Sequence, residues 1–212
     1  MKTRALVIYD DVWHPAATVR RGLEPLCPAG FEFEFVEGDP RRPTARMSEF
    51  SLVVLTKANM ISAIDQGPWL TTEALTSLRN HLRRGGGLVA IHAGTSRYES
   101  SAEMKEMIGG AFGRHPDSCA VTLEPQSGHP LAEGVAQFTV VDEHYFMEMS
   151  GAPVDVFLRS RSEHGLQPAG WTRTSEGGGR ICVLTPGHNL EVWLHPEFQK
   201  LLLNAFRWAK LN

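Results

Sequence analysis

The stretch Gly85-Gly86-Gly87-Leu88-Val89-Ala90-Ile91-His92-Ala93-Gly94 decides the fold. Its glycines end whatever precedes them. The short apolar run Leu88 to Ile91 is too brief for a helix and suits a strand buried on both faces. His92 stands at the tip between two small residues, Ala90 two before it and Gly94 two after it. Small flanks are what a sharp strand-to-helix turn of the nucleophile-elbow type requires, because larger side chains do not fit there. A histidine at the tip cannot perform the acyl chemistry of a serine hydroxyl or a cysteine thiol. The motif therefore predicts a geometry first, a buried parallel strand that ends in a polar group.

Reading outward, the same alternation recurs. Ala5-Leu6-Val7-Ile8-Tyr9 is an apolar run, followed by Asp10-Asp11-Val12-Trp13-His14-Pro15 and a helical pattern through Val19, Leu23 and Leu26. Phe31 to Val36 alternates phenylalanine with glutamate, which predicts an edge strand with one wet face. Leu52-Val53-Val54-Leu55 is apolar throughout. Ala74, Leu75, Leu78 and Leu82 recur at helical spacing between Thr71 as N-cap and Gly85 as stop, and Arg79 and Arg83 around His81 place that ring on a solvated face. Strands and helices alternating at this interval predict right-handed crossovers, hence an α/β fold with a parallel sheet and helices on both faces. From Cys119 the pattern shifts to the strand-like runs Ala120 to Leu123, Phe138 to Val141 and Val154 to Leu158, so extra β elements are expected in the second half. Arg180 to Leu184 returns to an apolar strand. Pro196, a favoured first helical residue, opens a closing helix with Phe198, Leu201, Leu202, Ala205, Phe206 and Ala209 along one stripe.

A chain of 212 residues without an internal repeat or low-complexity linker is expected to form a single domain over residues 1–212. Hydrophobic residues at 42% and charged residues at 21% exclude disordered and fibrous classes. The formal net charge of −3 lacks any basic cluster, so no nucleic-acid partner is expected. Cys27, Cys119 and Cys182 are far apart and odd in number, which argues against a disulfide framework and a cysteine-based zinc site and for a cytoplasmic setting. The first apolar run stops at Asp10, too early for a signal peptide, and no run approaches the length of a membrane span, so no membrane partner is expected. A homo-oligomer is neither required nor excluded.

Ligands of open parallel sheets bind beyond the carboxyl ends of the strands, so the residues just after each strand are the first candidates. These are His14 after the first strand, His92 at its strand tip, His188 in Thr185-Pro186-Gly187-His188, and Asp142, Glu143 and Tyr145 after Phe138 to Val141. A carboxylate near two imidazoles is a usable general acid or base. Histidine and glutamate are also ordinary ligands of a divalent metal such as zinc, although no short H-x-x-x-H spacing supports a site within one segment.

Gly85 through Gly94, Asp142-Glu143-His144-Tyr145, and Trp171-Thr172-Arg173 leading through Gly178-Gly179-Arg180 to Pro186-Gly187-His188 resemble the ThuA-like family of trehalose-utilisation proteins, and Asn204 to Ala209 is similar to that family's last helix. The resemblance spans nearly the whole chain. It implies a flavodoxin-like sheet similar to that of class I glutamine amidotransferases, with the elbow at the sheet's carboxyl edge. The amidotransferase elbow cysteine is replaced here by His92, so no thiolate is placed to attack an amide and glutaminase activity is not expected.

The family resemblance points to carbohydrate metabolism, in which the reaction is cleavage or rearrangement of a disaccharide or keto-sugar. On this reading His92, Glu143 and His188 are the catalytic residues. His14, whose position often carries a histidine in the family, would contact the small-molecule carbohydrate. So would His115, which follows the glycine-rich run Gly109 to Gly113, together with Tyr145, Trp171 and Arg173. The last two alternate along one strand face, an aromatic and guanidinium pair suited to a sugar, although Trp171 equally suits a core. No cofactor is certain from the sequence, and a divalent metal such as zinc is compatible with these residues. Two alternatives remain: a sugar-binding or regulatory module without catalysis, and a metal-dependent hydrolase.

Overall fold

The structure is a computed structural model and describes residues 2–210. β1 (Thr3–Ile8) buries Ala5, Leu6, Val7 and Ile8 almost completely and runs through the Asp10 to Pro15 loop into α1 (Ala16–Leu23). The helical reading through Leu26 breaks at Pro25, where Glu24–Leu26 forms a single 3-10 turn. β2 (Phe31–Phe35) pairs only with β1, buries Phe31 and exposes Glu32, as its alternation predicts for an edge. β3 (Leu52–Leu55) is buried at every residue. α2 (Thr72–Arg83) follows, with Thr71 Oγ1 accepting a hydrogen bond from the Ala74 amide at 3.2 Å, and leads into β4 (Gly87–Ile91).

The second half departs from strict alternation. After α3 (Ala102–Ile108) come β5 (Gly110–Arg114), β6 (Cys119–Pro125), β7 (Phe138–Asp142), β8 (Phe146–Met149), β9 (Asp155–Ser162), β10 (Gly165–Thr174) and β11 (Arg180–Leu184), then α4 (Leu190–Leu194) and α5 (Pro196–Ala209). The glycine-rich run before His115 is thus largely strand. Gly109, at φ +88°, ends α3 in the left-handed region, and β5 then pairs with β8 in a separate two-stranded ribbon.

Among the described residues the main sheet has nine strands in the order β2-β1-β3-β4-β11-β10-β9-β6-β7. The pairings from β2 to β11 are parallel and those from β11 to β7 antiparallel. Alternate residues of the parallel strands feed two cores. Val7, Val54, Val89, Ile91 and Leu184 pack with α1, α4 and α5, whereas Leu6, Val53, Leu88, Ala90 and Val183 pack with α2 and α3. The helices therefore cover both faces. Among the described residues no helix is long and apolar enough to cross a membrane.

Candidate functional site

β1, β4 and β11 are parallel and lie within three places of one another in the sheet, so their carboxyl ends emerge on one edge. Each delivers a histidine there. The rings of His14 and His92 are 4.9 Å apart, those of His14 and His188 5.2 Å, and those of His92 and His188 5.5 Å. All three pairs meet edge-on, at interplanar angles of 75°, 79° and 71°.

The elbow holds His92 by strain and packing together. Its φ is +47°, a left-handed conformation that a residue with a Cβ seldom adopts. Gly94 permits the turn because a Cβ there would fall onto the carbonyl oxygen of Leu55. The ring is buried, and its Nδ1 lies 2.8 Å from the Thr185 carbonyl oxygen. A carbonyl only accepts, so Nδ1 carries the proton and Nε2 presents a lone pair to the site.

His14 is positioned by Asp11. One Asp11 carboxylate oxygen accepts from the backbone amides of Trp13 at 2.9 Å and His14 at 3.0 Å and from His14 Nδ1 at 2.8 Å, while the other accepts from the Ala58 amide at 2.9 Å. Burial pushes the Asp11 carboxyl up, but these donors, His14 foremost, outweigh it and hold the group below its ordinary value. The His14 ring, buried beside two other imidazoles, titrates below its ordinary value despite Asp11. The Asp-x-x-His spacing is the sequence signal of this side-chain-to-backbone turn, and it singles out Asp11.

The last donor arrives from the far end of the sheet order. Asp142 closes β7, and its carboxylate accepts from the Gly187 amide at 2.8 Å and the His188 amide at 3.0 Å, which fixes the turn after β11. The next residue, Glu143, thereby enters the cluster. Its Oε2 lies 3.3 Å from both His92 Nε2 and His188 Nδ1, and its Oε1 is 3.6 Å from His115 Nε2. Those short separations are poorly aligned for hydrogen bonding. Three buried ring nitrogens, His14 Nε2, His92 Nε2 and His188 Nδ1, consequently have no hydrogen-bond partner among the described residues. Burial raises the Glu143 carboxyl, but the His188 and His92 rings overcome it and hold the group well below the usual carboxylate range. Glu143 in turn raises His188.

A cavity of about 330 Å³ opens onto this cluster, lined by Trp13, His14, Phe112, His115, Glu143 and Tyr145 among others. On the opposite side, toward Val19 and Trp193, the space is only about 10 Å³, so access runs from the Trp13 side. Tyr145 is buried, stacks on His92 with ring centroids 4.1 Å apart, and has its hydroxyl 3.3 Å from Ser96 Oγ. Trp13 is half exposed at the mouth and was not singled out from the sequence. His14, His92, His115, Glu143, Tyr145 and His188 are thus brought together.

Trp171 and Arg173 are not. Trp171 is fully buried, donates its indole N–H to the Ile108 carbonyl at 2.7 Å, and has no free face for a sugar. Arg173 is tied to the carbonyl of Glu106 and lines a separate groove with His129, Asp155 and Trp208. The alternation that put the two residues on one face was real, but that face packs on α3. His81, read as solvated, is buried and bonds the Gly87 carbonyl oxygen at 2.9 Å. His144 turns away from Glu143 to Ser160 and Ser162. No thiol occupies the elbow: Cys182 is buried within β11, where desolvation pushes its thiol far up.

The family model for ThuA, trehalose utilisation, matches residues 11–209. No curated protein matches the sequence. The fold is similar to a ThuA-like protein from Parabacteroides merdae, with TM-score 0.80, 20% identity, and 99% of this chain and 90% of that one covered. A ThuA-like protein from Bacteroides uniformis gives 0.70 at 19% identity, covering 98% and 91%. The PurLQS structure from Thermotoga maritima gives 0.62 at 16% identity, covering 99% and 100%. These likenesses establish the flavodoxin-like, class I glutamine amidotransferase-like fold.

Proposed function

The chain belongs to the ThuA family, and from that premise we propose that it processes a carbohydrate, a disaccharide or keto-sugar, by acid-base chemistry at His92, Glu143 and His188. One observation carries the reading: a carboxylate and three imidazoles whose inward nitrogens have no other partner form the floor of an aromatic-walled cavity. The apolar faces of Trp13, Phe112 and Tyr145 suit the C–H faces of a sugar ring, and the polar floor suits its hydroxyls.

In a keto-sugar the carbonyl acidifies the neighbouring C–H. His92 accepts that proton on Nε2, the C–H electron pair becomes a C=C bond, the C–O bond to the leaving sugar breaks, and His188, whose proton the Glu143 carboxylate stabilises, protonates the departing oxygen. His92, stacked on Tyr145 and fixed by Thr185, keeps that Nε2 lone pair pointed into the site.

The test is turnover of candidate disaccharides and keto-disaccharides by Glu143→Gln and His92→Asn. Both variants should remain folded and bind the sugar while the rate falls by on the order of 10² to 10⁴. Turnover that survives both changes refutes the assignment. A wild-type chain that binds a sugar without turning it over supports a binding module instead.

A further inference from the structure

The geometry points to a divalent-cation site at His14, His92, Glu143 and His188, built for a borderline first-row metal of the zinc type. One ligand atom from each of these residues lies within 4.8 Å of the other three, against about 3.4 Å for the edge of a tetrahedron with metal bonds of 2.0–2.1 Å. The set is therefore slightly open and closes by small movements.

Three features separate this cluster from a chance meeting of polar groups. The first is the vacancy of the ring nitrogens. His14 Nε2, His92 Nε2 and His188 Nδ1 are all buried without a hydrogen-bond partner, although an orphaned buried polar atom costs about 1–3 kcal/mol. Three such atoms aimed at one point are explained by an occupant that all three share. The second is the tautomer. The Asp11 carboxylate on His14 Nδ1 and the Thr185 carbonyl on His92 Nδ1 place the protons on the outer nitrogens and leave the inner lone pairs available. A carboxylate or carbonyl on the outer nitrogen is how metal-bound histidines are commonly oriented and made more basic. The third is the mutual edge-on packing of the rings, at 71° to 79°, which lets each ring point its own edge inward.

The donor chemistry selects the ion. Three imidazoles and one carboxylate suit Zn²⁺, Co²⁺, Ni²⁺ or Fe²⁺, whereas Mg²⁺ and Ca²⁺ require mostly oxygen ligands. No single segment carries a metal motif, because the ligands sit after β1, β4, β7 and β11 and meet only in the folded sheet. An ion held by these four residues would supply Lewis-acid polarisation of the substrate at the cavity floor, in place of the metal-free proton transfers by His92 and His188. Asp11 acts as a positioning residue through His14.

The experiment uses no sugar, so it stands or falls apart from the carbohydrate reading. The full chain is stripped with a chelator and titrated with Zn²⁺ by calorimetry, and with Co²⁺ by visible absorption. One ion per chain is expected, with the intense bands of four- or five-coordinate Co²⁺. His14→Ala should weaken binding by more than 100-fold, and Asp11→Asn by about 10- to 100-fold. His129→Ala, outside the cluster, should leave it unchanged. Nitrogen NMR of the wild type guards against a variant that fails to fold: Zn²⁺ should shift the ring nitrogens of His14, His92 and His188 but not those of His129 and His164. Absence of one-to-one binding, six-coordinate Co²⁺ spectra, equal affinity for Mg²⁺, or shifts confined to surface histidines would each overturn the site.

Discussion

A buried histidine attends each end of β4, and the two are opposites. At the start of the strand, His81 on α2 packs its ring against Gly86 and bonds the Gly87 carbonyl oxygen at 2.9 Å. At its end, His92 takes a left-handed φ and keeps Nε2 without a hydrogen-bond partner. The same side chain at similar burial, 2% and 1% exposed, thus braces the strand in one place and lines the candidate site in the other. What distinguishes them is hydrogen-bond accounting: a satisfied imidazole contributes stability, and an unsatisfied one in a strained turn gives some of it up.

The largest effects should come from the glycines that make both ends possible. A Cβ on Gly87 would strike the Ala209 backbone carbonyl, and one on Gly94 the Leu55 carbonyl, neither of which is a flexible side chain. Gly87→Ala and Gly94→Ala should each lose on the order of 3 kcal/mol in denaturant unfolding, at the upper end of overpacking costs. If Gly94→Ala unfolds like the wild type, the elbow is looser than its geometry indicates, and the contrast between the two ends weakens.

Next come the histidines themselves. His81→Leu loses the bond to Gly87 and should cost about 1–2 kcal/mol. His92→Asn removes an unpartnered nitrogen and introduces a residue that tolerates positive φ, so its stability should stay within about 1 kcal/mol of the wild type. Equal destabilisation by both changes would erase the distinction.

The smallest effect is in pH. Burial holds His81 below its ordinary pKa of 6.5, so the unfolded chain binds the extra proton. Its contribution is complete above about pH 6.5 and is lost as pH falls below that value, with a slope of at most about 1.4 kcal/mol per pH unit. The wild type should therefore lose stability more steeply than His81→Leu between pH 6.5 and 5. Parallel curves would show that the ring titrates freely in the fold.

Much of this was legible in the sequence, for a physical reason. In a parallel sheet the strand tips share an edge, so His14, His92, His188 and Glu143 announce themselves by following apolar runs. His81 was misread because Arg79 and Arg83 drew attention to charge, whereas its spacing of three from Leu78 and seven from Ala74 puts it on the buried stripe. Trp171 and Arg173 show the limit of alternation, which tells which residues share a face but not what covers that face. The β5–β8 ribbon was hidden because glycines that permit a turn also permit close strand pairing. Asp11 and Trp13 were overlooked because their roles depend on what a loop folds against.

The Asp142 carboxylate that grips Gly187 and His188 ties the assembly of the cluster to the completion of the fold. The cluster draws on loops from the first strand to the last, and its final turn is set only when the antiparallel wing has swung back onto the parallel core. Contacts between such distant segments form late, since closing long loops is entropically unfavourable until the intervening elements are in place. The four groups after β1, β4, β7 and β11 therefore meet only in the completed sheet.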